Sequence, residues 1–297
     1  MLKSICSLIL IGILLPINAQ TDNDPVYINY NFFPKRDMTK QDETAVYSQL
    51  EANLILPGLN LGEKTKVYTN LNYKISQYDF DQNTEGVFPE KLNDIRLGFI
   101  VMHKFSDQWQ AILAPRINAR SDFKEKFGKR DLFPSVHLLG IRTSPANENF
   151  SYGLGVSYNN EGIKNLVIPL AILQYKTEDI RVYTIIPSFV YAMMTPSEKL
   201  EYGLSINLES GLYHINRFSM DDSPNYLSTQ NITIAPTLGY QFAKDLWFNF
   251  KAGYVLPGKY RLLDADFDSL PGMEKNQFKG GFSIMGGVSL RVKDNLN

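Results

Sequence analysis

Three observations predict that this all-β chain forms an antiparallel transmembrane β-barrel. First, apolar residues recur at every second position, as in Leu200, Tyr202, Leu204, Ile206 and Leu208, with small or charged residues between them. This two-residue period is that of a strand with one apolar face. Second, the alternating segments reach about ten residues, which is the length of a tilted strand that crosses a bilayer. Third, short and long connections alternate along the chain, as they do in bacterial outer-membrane barrels.

The N-terminus has the pattern of a secretory signal peptide. Lys3 supplies the positive charge, and Ile5–Leu15 forms an apolar core that ends shortly before Ala19. This core is shorter than the roughly twenty apolar residues that a membrane-spanning helix needs, which argues against the alternative of an N-terminal anchor. We predict that residues 1–19 are cleaved and that residues 20–297 form a single barrel domain. The protein is therefore expected in the bacterial outer membrane.

The composition excludes several classes of function. The single cysteine, Cys6, lies in the predicted signal, so disulfides, thiolate catalysis and thiolate metal sites are not expected in the mature chain. A formal net charge of −1 gives no reason to expect nucleic-acid binding. The chain has no run of eighteen uninterrupted apolar residues after the signal, so helical membrane spans are not expected either.

The alternating segments can be assigned to strands in chain order. A shift of one residue in any of them would turn charged side chains toward lipid, so the pattern specifies which face is apolar. The predicted strands include Val26–Phe33, Val46–Leu56, Val67–Ile75, Ile95–Val101, Trp109–Ile117, Phe150–Tyr158, Leu200–Leu212, Ile232–Phe242, Phe248–Tyr254 and Phe282–Leu290.

The connections between these strands fall into two kinds. Short turns, predicted to be periplasmic, lie at Ser106–Gln108, Pro145–Asn149, Thr177–Asp179, Pro196–Glu198 and Ala243–Asp245. Longer loops, predicted to be external, lie at Ser76–Lys91, Asp122–Asp131, Asn216–Ser228 and Gly258–Gln277. A soluble β-sandwich or a lipocalin-like barrel would share the two-residue period. The 17 tyrosines and 18 phenylalanines, which recur near segment ends, favour the membrane barrel because aromatic girdles form at both membrane interfaces.

The segment Val167–Met194 decides the number of strands. Ile168-Pro169 and Ile186-Pro187 each lie within an apolar run that leads to a threonine and a charged turn. Because proline suits a turn or a strand end, we predict a tight external turn near Ile186-Pro187 between two short strands. The total is then fourteen strands with both termini in the periplasm, and it falls to twelve if the segment is irregular.

The sequence resembles a bacterial outer-membrane β-barrel family of unknown function. The matching features are Phe150–Tyr158 (FSYGLGVSY), Ile168–Leu170, Ile185–Pro187 and the Thr195–Leu200 turn that leads into Gly203. The resemblance covers nearly the whole mature chain. It implies the barrel and its compartment, and it implies no activity or catalytic residue.

Projecting the strands inward gives a set of charges with a basic excess. The candidate lumen-facing residues are Lys66, Lys74, Arg96, Arg116, Arg120, Arg142, Arg181, Lys251, Arg291, Glu51, Glu201 and Glu209, with Lys104 as a further basic position. One hypothesis is a passive channel for small solutes whose basic lumen prefers anions. The alternative is a closed structural or binding barrel that acts through its external loops, in which these charges pair or lie at the rims.

The sequence offers little sign of catalytic or metal chemistry. Asp264, Asp266 and Asp268 resemble the start of a calcium loop, but Ser269 and Lys275 occupy positions where an EF-hand needs glycine and glutamate. Ser135 and His137 are two positions apart, and this pair suggests a third reading, an outer-leaflet lipid hydrolase. No nucleophile elbow accompanies them. We expect a protein that is not an enzyme, has no cofactor, and contacts outer-membrane lipids and small solutes or anions.

Overall fold

The computed structural model describes residues 24–82, 87–159, 166–215 and 226–291. The predicted signal peptide at residues 1–19 lies outside these ranges. Within them, no helix is long and apolar enough to cross a membrane.

Fourteen β-strands form the wall of the molecule. They are β1 (Val26–Asp37), β2 (Thr44–Ile55), β3 (Thr65–Phe80), β4 (Lys91–Lys104), β5 (Trp109–Ser121), β6 (Leu132–Ser144), β7 (Asn147–Asn159), β8 (Leu166–Lys176), β9 (Ile180–Ile186), β10 (Phe189–Ser197), β11 (Leu200–His214), β12 (Tyr226–Ala243), β13 (Leu246–Val255) and β14 (Gly281–Leu290). Gly258–Leu263 continues β13, Gln277–Phe278 precedes β14, and the short strand Leu59–Asn60 pairs with β3. A 3₁₀ turn, Lys129–Asp131, precedes β6.

The wall closes on itself. Each strand pairs antiparallel with the next, and β1 pairs with β14 from Val26–Leu290 to Phe32–Ile284. Closure gives the edge backbone groups of β1 and β14 hydrogen-bond partners, which a bilayer requires because it supplies none. The prediction of an all-β antiparallel barrel with about fourteen strands is confirmed.

The central apolar segment contains the predicted tight turn. β9 and β10 are joined by Pro187 and Ser188, and the six register pairs of this hairpin run from Ile180–Met194 to Ile185–Phe189. Two short strands therefore take the place of one long one, so fourteen strands is correct and the alternative of twelve is wrong.

The outer face of the wall is apolar. Leu71, Leu97 and Ile117 lie side by side on β3, β4 and β5, and about two fifths of each side chain is exposed. Trp109, Tyr152, Tyr202 and Tyr240 are exposed near the periplasmic ends of their strands. This is the apolar band and aromatic girdle of a barrel that faces lipid.

The connections follow the predicted alternation, with shifts in several of their bounds. β7 begins at Asn147, within the predicted Pro145–Asn149 turn, and β12 begins at Tyr226, within the predicted Asn216–Ser228 loop, of which residues 216–225 lie outside the described ranges. β3 continues to Phe80, so the following loop is shorter than expected, and the turn before β11 lies at Glu198 and Lys199. Gly258–Leu263 is a strand that pairs with the beginning of β12 rather than part of a loop. The alternation did not predict these extensions, because they lie beyond the apolar band and carry aromatic and polar side chains.

A charge in the middle of the outer face tests which side meets lipid. We expect Leu97→Arg to lower the free energy of unfolding in lipid vesicles by about 2–4 kcal/mol, the cost of an arginine near the bilayer midplane. Urea titration followed by tryptophan fluorescence would measure it. The matched control is Leu61→Arg in the β2–β3 connection, which should change stability little, and equal effects of both substitutions would contradict the assignment.

Candidate functional site: the barrel interior

The strand registers give each candidate charge a face. Those whose register and neighbours place them on the inner face are Lys66, Lys74, Arg96, Lys104, Arg116, Arg120, Arg181, Lys251, Arg291, Glu51, Glu201 and Glu209. Lys66, for example, pairs with the buried Met102. The interior is therefore rich in charge, and its function depends on how those charges are compensated.

Arg142 departs from the expectation of a lumen-facing side chain. It pairs with Trp109 of β5 and Tyr152 of β7, both of which are exposed on the outer face. Its guanidinium carbon lies 5.4 Å from the centre of the Trp109 ring. The even-numbered positions of β6 face outward, so Arg142 belongs to the periplasmic girdle, where a cation can stack on an aromatic ring.

A first group of ion pairs, the upper ion cluster, occupies the interior toward the external side. Asp94 accepts a hydrogen bond from Arg120 Nε at 2.8 Å and lies 3.5 Å from Arg96 Nη2. Lys74 forms an ion pair with Glu209. The remaining acidic member, Glu51, accepts hydrogen bonds from its neighbours Tyr27 and Asn72 at 2.9 Å and 2.8 Å. These three basic and three acidic residues balance one another.

A second group, the periplasmic ion cluster, lies at the periplasmic end of the barrel, where the first and last strands meet. Glu201 at the start of β11 lies 2.9 Å from Arg181 Nη2 and 2.5 Å from Arg291 Nη1. Arg291 also lies 2.8 Å from Asp24, just before β1. Burial raises the pKa of the Asp24 carboxyl, and the Arg291 guanidinium opposes that rise. Two arginines again face two carboxyl groups.

Two further inward cations contact neutral groups among the described residues. Arg116 donates a hydrogen bond to Ser135 Oγ at 2.8 Å, and Lys251 Nζ lies 4.9 Å from the centre of the Tyr191 ring. The basic excess seen in the sequence is thus smaller in the structure, because carboxylates that the strand projection missed, Asp94 and Asp24, join the pairs.

Aromatic side chains fill the interior near the external end. We call this group the external plug; its tyrosines are Tyr47, Tyr78, Tyr213 and Tyr260, and its other members include Phe33, Phe88, Leu227 and Phe278. Phe33 stacks on Tyr47 at 3.8 Å between ring centres, and Tyr47 stacks on Tyr78 at 5.0 Å. Each of the four tyrosines is less than a tenth exposed. Side chains that face an open water-filled lumen would be far more exposed.

Contacts between opposite walls show that the barrel is pinched at this level. The Lys74–Glu209 pair joins β3 to β11, and Ser121 at the end of β5 forms a parallel bridge with His214 at the end of β11. His214 Nδ1 is hydrogen-bonded to Asp131 Oδ1 of the β5–β6 connection at 2.8 Å. The external ends of β11 and β12 thus lean across the lumen.

The periplasmic end holds a cavity of about 770 Å³. It lies among the turns between β4 and β9, and its polar lining includes Lys104, Gln110, Ser151, Gln174 and Lys176. Asp107, Glu148 and Glu178 also line it. Because both signs of charge are present, this cavity has no strong preference for anions.

An apolar layer lies on the inner face of the same wall. Leu139, Ile141, Leu170 and Ile172 pack together there, each less than a tenth exposed, and Ile168 and Ile185 pack against them. Barrel interiors are usually polar, so this layer is unusual. A signal for this layer was present in the sequence, because β8 is apolar at almost every position.

The residues weighed for catalysis or metal binding have other contacts. Ser135 accepts the hydrogen bond from Arg116, and the registers place both Ser135 and His137 on the inner face, away from lipid. Asp264 accepts hydrogen bonds from the backbone amides of Asp266 and Asp268, so it shapes its own loop. Within the described residues, no group of three or more histidine, cysteine, aspartate or glutamate side chains could hold a metal ion.

The fold and its outer face define a bacterial outer-membrane β-barrel, in contact with membrane lipid. The chain belongs to the family described as domain of unknown function (DUF6268), which matches residues 16–291. The family resemblance seen in the sequence is confirmed. No curated protein matches the chain.

Solved structures of outer-membrane barrels are similar to it at low identity. The COG4313 outer membrane channel from Pseudomonas putida F1 is 9% identical with a TM-score of 0.43, over 93% of this chain and 99% of that one. The NanC porin is 10% identical with a TM-score of 0.37, over 90% and 100%. An active-site mutant of outer membrane phospholipase A from Escherichia coli is 11% identical with a TM-score of 0.38, over 94% and 97%. These values support no inference about function.

The pair that joins opposite walls allows a direct energetic test. We expect Lys74→Met to lower the free energy of unfolding by about 1.5–3 kcal/mol, the range for a hydrogen bond to a charged group, because Glu209 loses its cation. A double-mutant cycle with Glu209→Gln, measured by urea unfolding in vesicles, would isolate the interaction. Lys66→Met, at an inward lysine paired in register with Met102, is the control and should cost less. An interaction energy near zero would refute the contact.

Proposed function

We propose that the protein is an outer-membrane barrel without an open axial pore, which acts by binding rather than by passing ions. The observation that carries this proposal is the external plug, in which buried tyrosines from β2, β3, β11 and the continuation of β13 meet inside the barrel. The proposal includes no catalytic step, so it describes a protein that is not an enzyme.

The arrangement of charge supports the same proposal. A selective pore needs uncompensated charge along its path. The upper and periplasmic ion clusters each balance acids against bases, so the excess of inward cations is confined to positions outside the clusters, such as Lys66 and Lys251. Paired interior charges instead hold the walls together. The anion-preferring channel therefore has less support than the closed barrel.

A gated channel for small polar solutes is the second candidate, and the periplasmic cavity favours it. That cavity of about 770 Å³ could admit a small solute from the periplasm. Passage to the outside would then require the external plug to move. The lining carries amides, hydroxyls and both signs of charge, which suits a polar solute better than a simple anion.

Reconstitution into planar bilayers tests the closed barrel. We expect the purified protein to insert without producing stepwise conductance. The triple variant Tyr47→Ala, Tyr78→Ala, Tyr213→Ala should give measurable steps, because it removes three rings that fill the lumen. A matched triple variant on the outer face, Tyr152→Ala, Tyr202→Ala, Tyr240→Ala, should stay silent.

Steady conductance from the unaltered protein would overturn the proposal and favour the channel, and reversal potentials in a salt gradient would then give its ion preference. Heat-dependent mobility in detergent gels would show that each variant has folded, so that a silent trace is not mistaken for a failure to insert.

A further inference from the structure

The barrel wall extends less far toward the external side at β9 and β10 than at the neighbouring strands. These strands have 7 and 9 residues, whereas β11 and β12 have 15 and 18. Pairing between β8 and β9 reaches only Ala171–Ile186, and pairing between β10 and β11 reaches only Phe189–Asn207. Beyond the end of the β9–β10 hairpin, β8 and β11 continue toward the external side with no hairpin strand beside them.

The continuing parts of β8 and β11 are each paired on one side. Leu166–Leu170 pairs with β7, and Leu208–His214 pairs with β12. On the sides that face each other, the described residues of β8 and β11 do not pair. The free side of β11 has two backbone contacts: Leu208 N donates a hydrogen bond to Ser188 O at 2.8 Å, and His214 forms the bridge with Ser121 of β5. We call the space between these two edges, above Pro187 and Ser188, the side gap.

The side gap opens at the depth of the bilayer's apolar core. Val167 and Ile186 beside it are well exposed on the outer face. On the other flank, Leu208 pairs with Ile232 of β12, which continues the outward apolar series above the hairpin. Unpaired strand edges facing hydrocarbon are not tolerated unless something shields them or they line a cavity. Hydrocarbon offers these edges no hydrogen bond, so within the described ranges they are tolerated as the mouth of a cavity, and the acyl chains of the outer leaflet border that mouth.

The apolar layer on the inner face lies directly behind the side gap. Ile168 and Leu170 belong to the continuing edge of β8, and Ile185 lies just below the top of β9. A hydrocarbon chain that passed the gap would therefore first meet the partly buried Ile168 and Ile185. Glu209 of the upper ion cluster lies across the gap on β11, and Arg181 of the periplasmic ion cluster lies at the periplasmic end of β9. At the top of the hairpin, where the pairing of β8 to β9 and of β10 to β11 ends, the gap spans three strand spacings, roughly 14 Å at about 4.8 Å each, which is wide enough for such a chain.

We propose that the side gap admits the hydrocarbon chain of an outer-leaflet amphiphile, which binds against the apolar layer inside the barrel. The ligand is recognised through its chain, so a lipid acyl chain and a free fatty acid share the required chemistry. This proposal stands apart from the closed axial path, since lateral access needs no opening through the external plug.

Quenching by brominated acyl chains tests the proposal. In a background with Trp109→Phe and Trp247→Phe, Ile185→Trp places a reporter in the apolar layer. Vesicles containing brominated phosphatidylcholine should quench it about as strongly as an outward reporter, Leu173→Trp, on the lipid face of β8. Asn70→Trp, on the inner face of β3, should not be quenched. A second arm adds brominated fatty acid to unbrominated vesicles, and the arm that quenches identifies the source of the chain.

A blocking variant distinguishes entry of the chain through the side gap from nonspecific entry through a destabilised barrel wall. Adding Ile168→Lys puts a charge at the inner rim of the side gap and should abolish quenching of the inner reporter. The matched substitution Ile100→Lys, on the inner face of β4, should leave that quenching intact.

An inner reporter that neither brominated species quenches, in a barrel that folds normally by gel mobility, would overturn the proposal. Quenching that survives Ile168→Lys would also overturn it. A conducting barrel with intact quenching would refute the closed axial path alone, so the two proposals can fail separately.

Discussion

The need to satisfy every backbone hydrogen bond in a medium without water governs this structure. Inside a bilayer an unpaired amide or carbonyl costs several kcal/mol, so the sheet has to close. Pairing of β1 with β14 achieves closure over seven register pairs. Once the wall is closed, one face of each strand is committed to lipid, and the candidate charges are directed inward except for Arg142, which lies in the periplasmic girdle. The interior chemistry is a consequence of that constraint.

The interior then has to accommodate many charges in a small volume. The upper ion cluster does so by pairing neighbours, as Asp94 does with Arg120, and by pairing across the lumen, as Lys74 does with Glu209. Breaking a buried pair usually costs more than the pair contributes, because one charge is left uncompensated. The interior is therefore held as a unit together with the external plug, and its apolar layer is confined to the part of the wall that β5, β6, β8 and β9 form.

Much of the fold could be predicted from the sequence because alternation records which residues meet lipid. Leu97 and Leu204 identify their faces without help from neighbouring strands. Arg142 could not be assigned in this way, since the face of β6 depends on its register with β5 rather than on its own short pattern. Asp94 was open to prediction, because it lies two residues before the inward Arg96 and so shares its face. The external plug was not, since Tyr47 and Tyr213 meet only through the three-dimensional path of distant strands.

The periplasmic ion cluster has a consequence for how the molecule is assembled. Asp24 precedes the first strand and Arg291 follows the last, and both belong to a group completed by Glu201. Asp24 and Arg291 come together only where β1 pairs with β14, so this contact forms together with closure of the barrel. The ion pairs thereby stabilise the periplasmic end of the β1–β14 strand pair. Fraying of that pair would otherwise begin at this end.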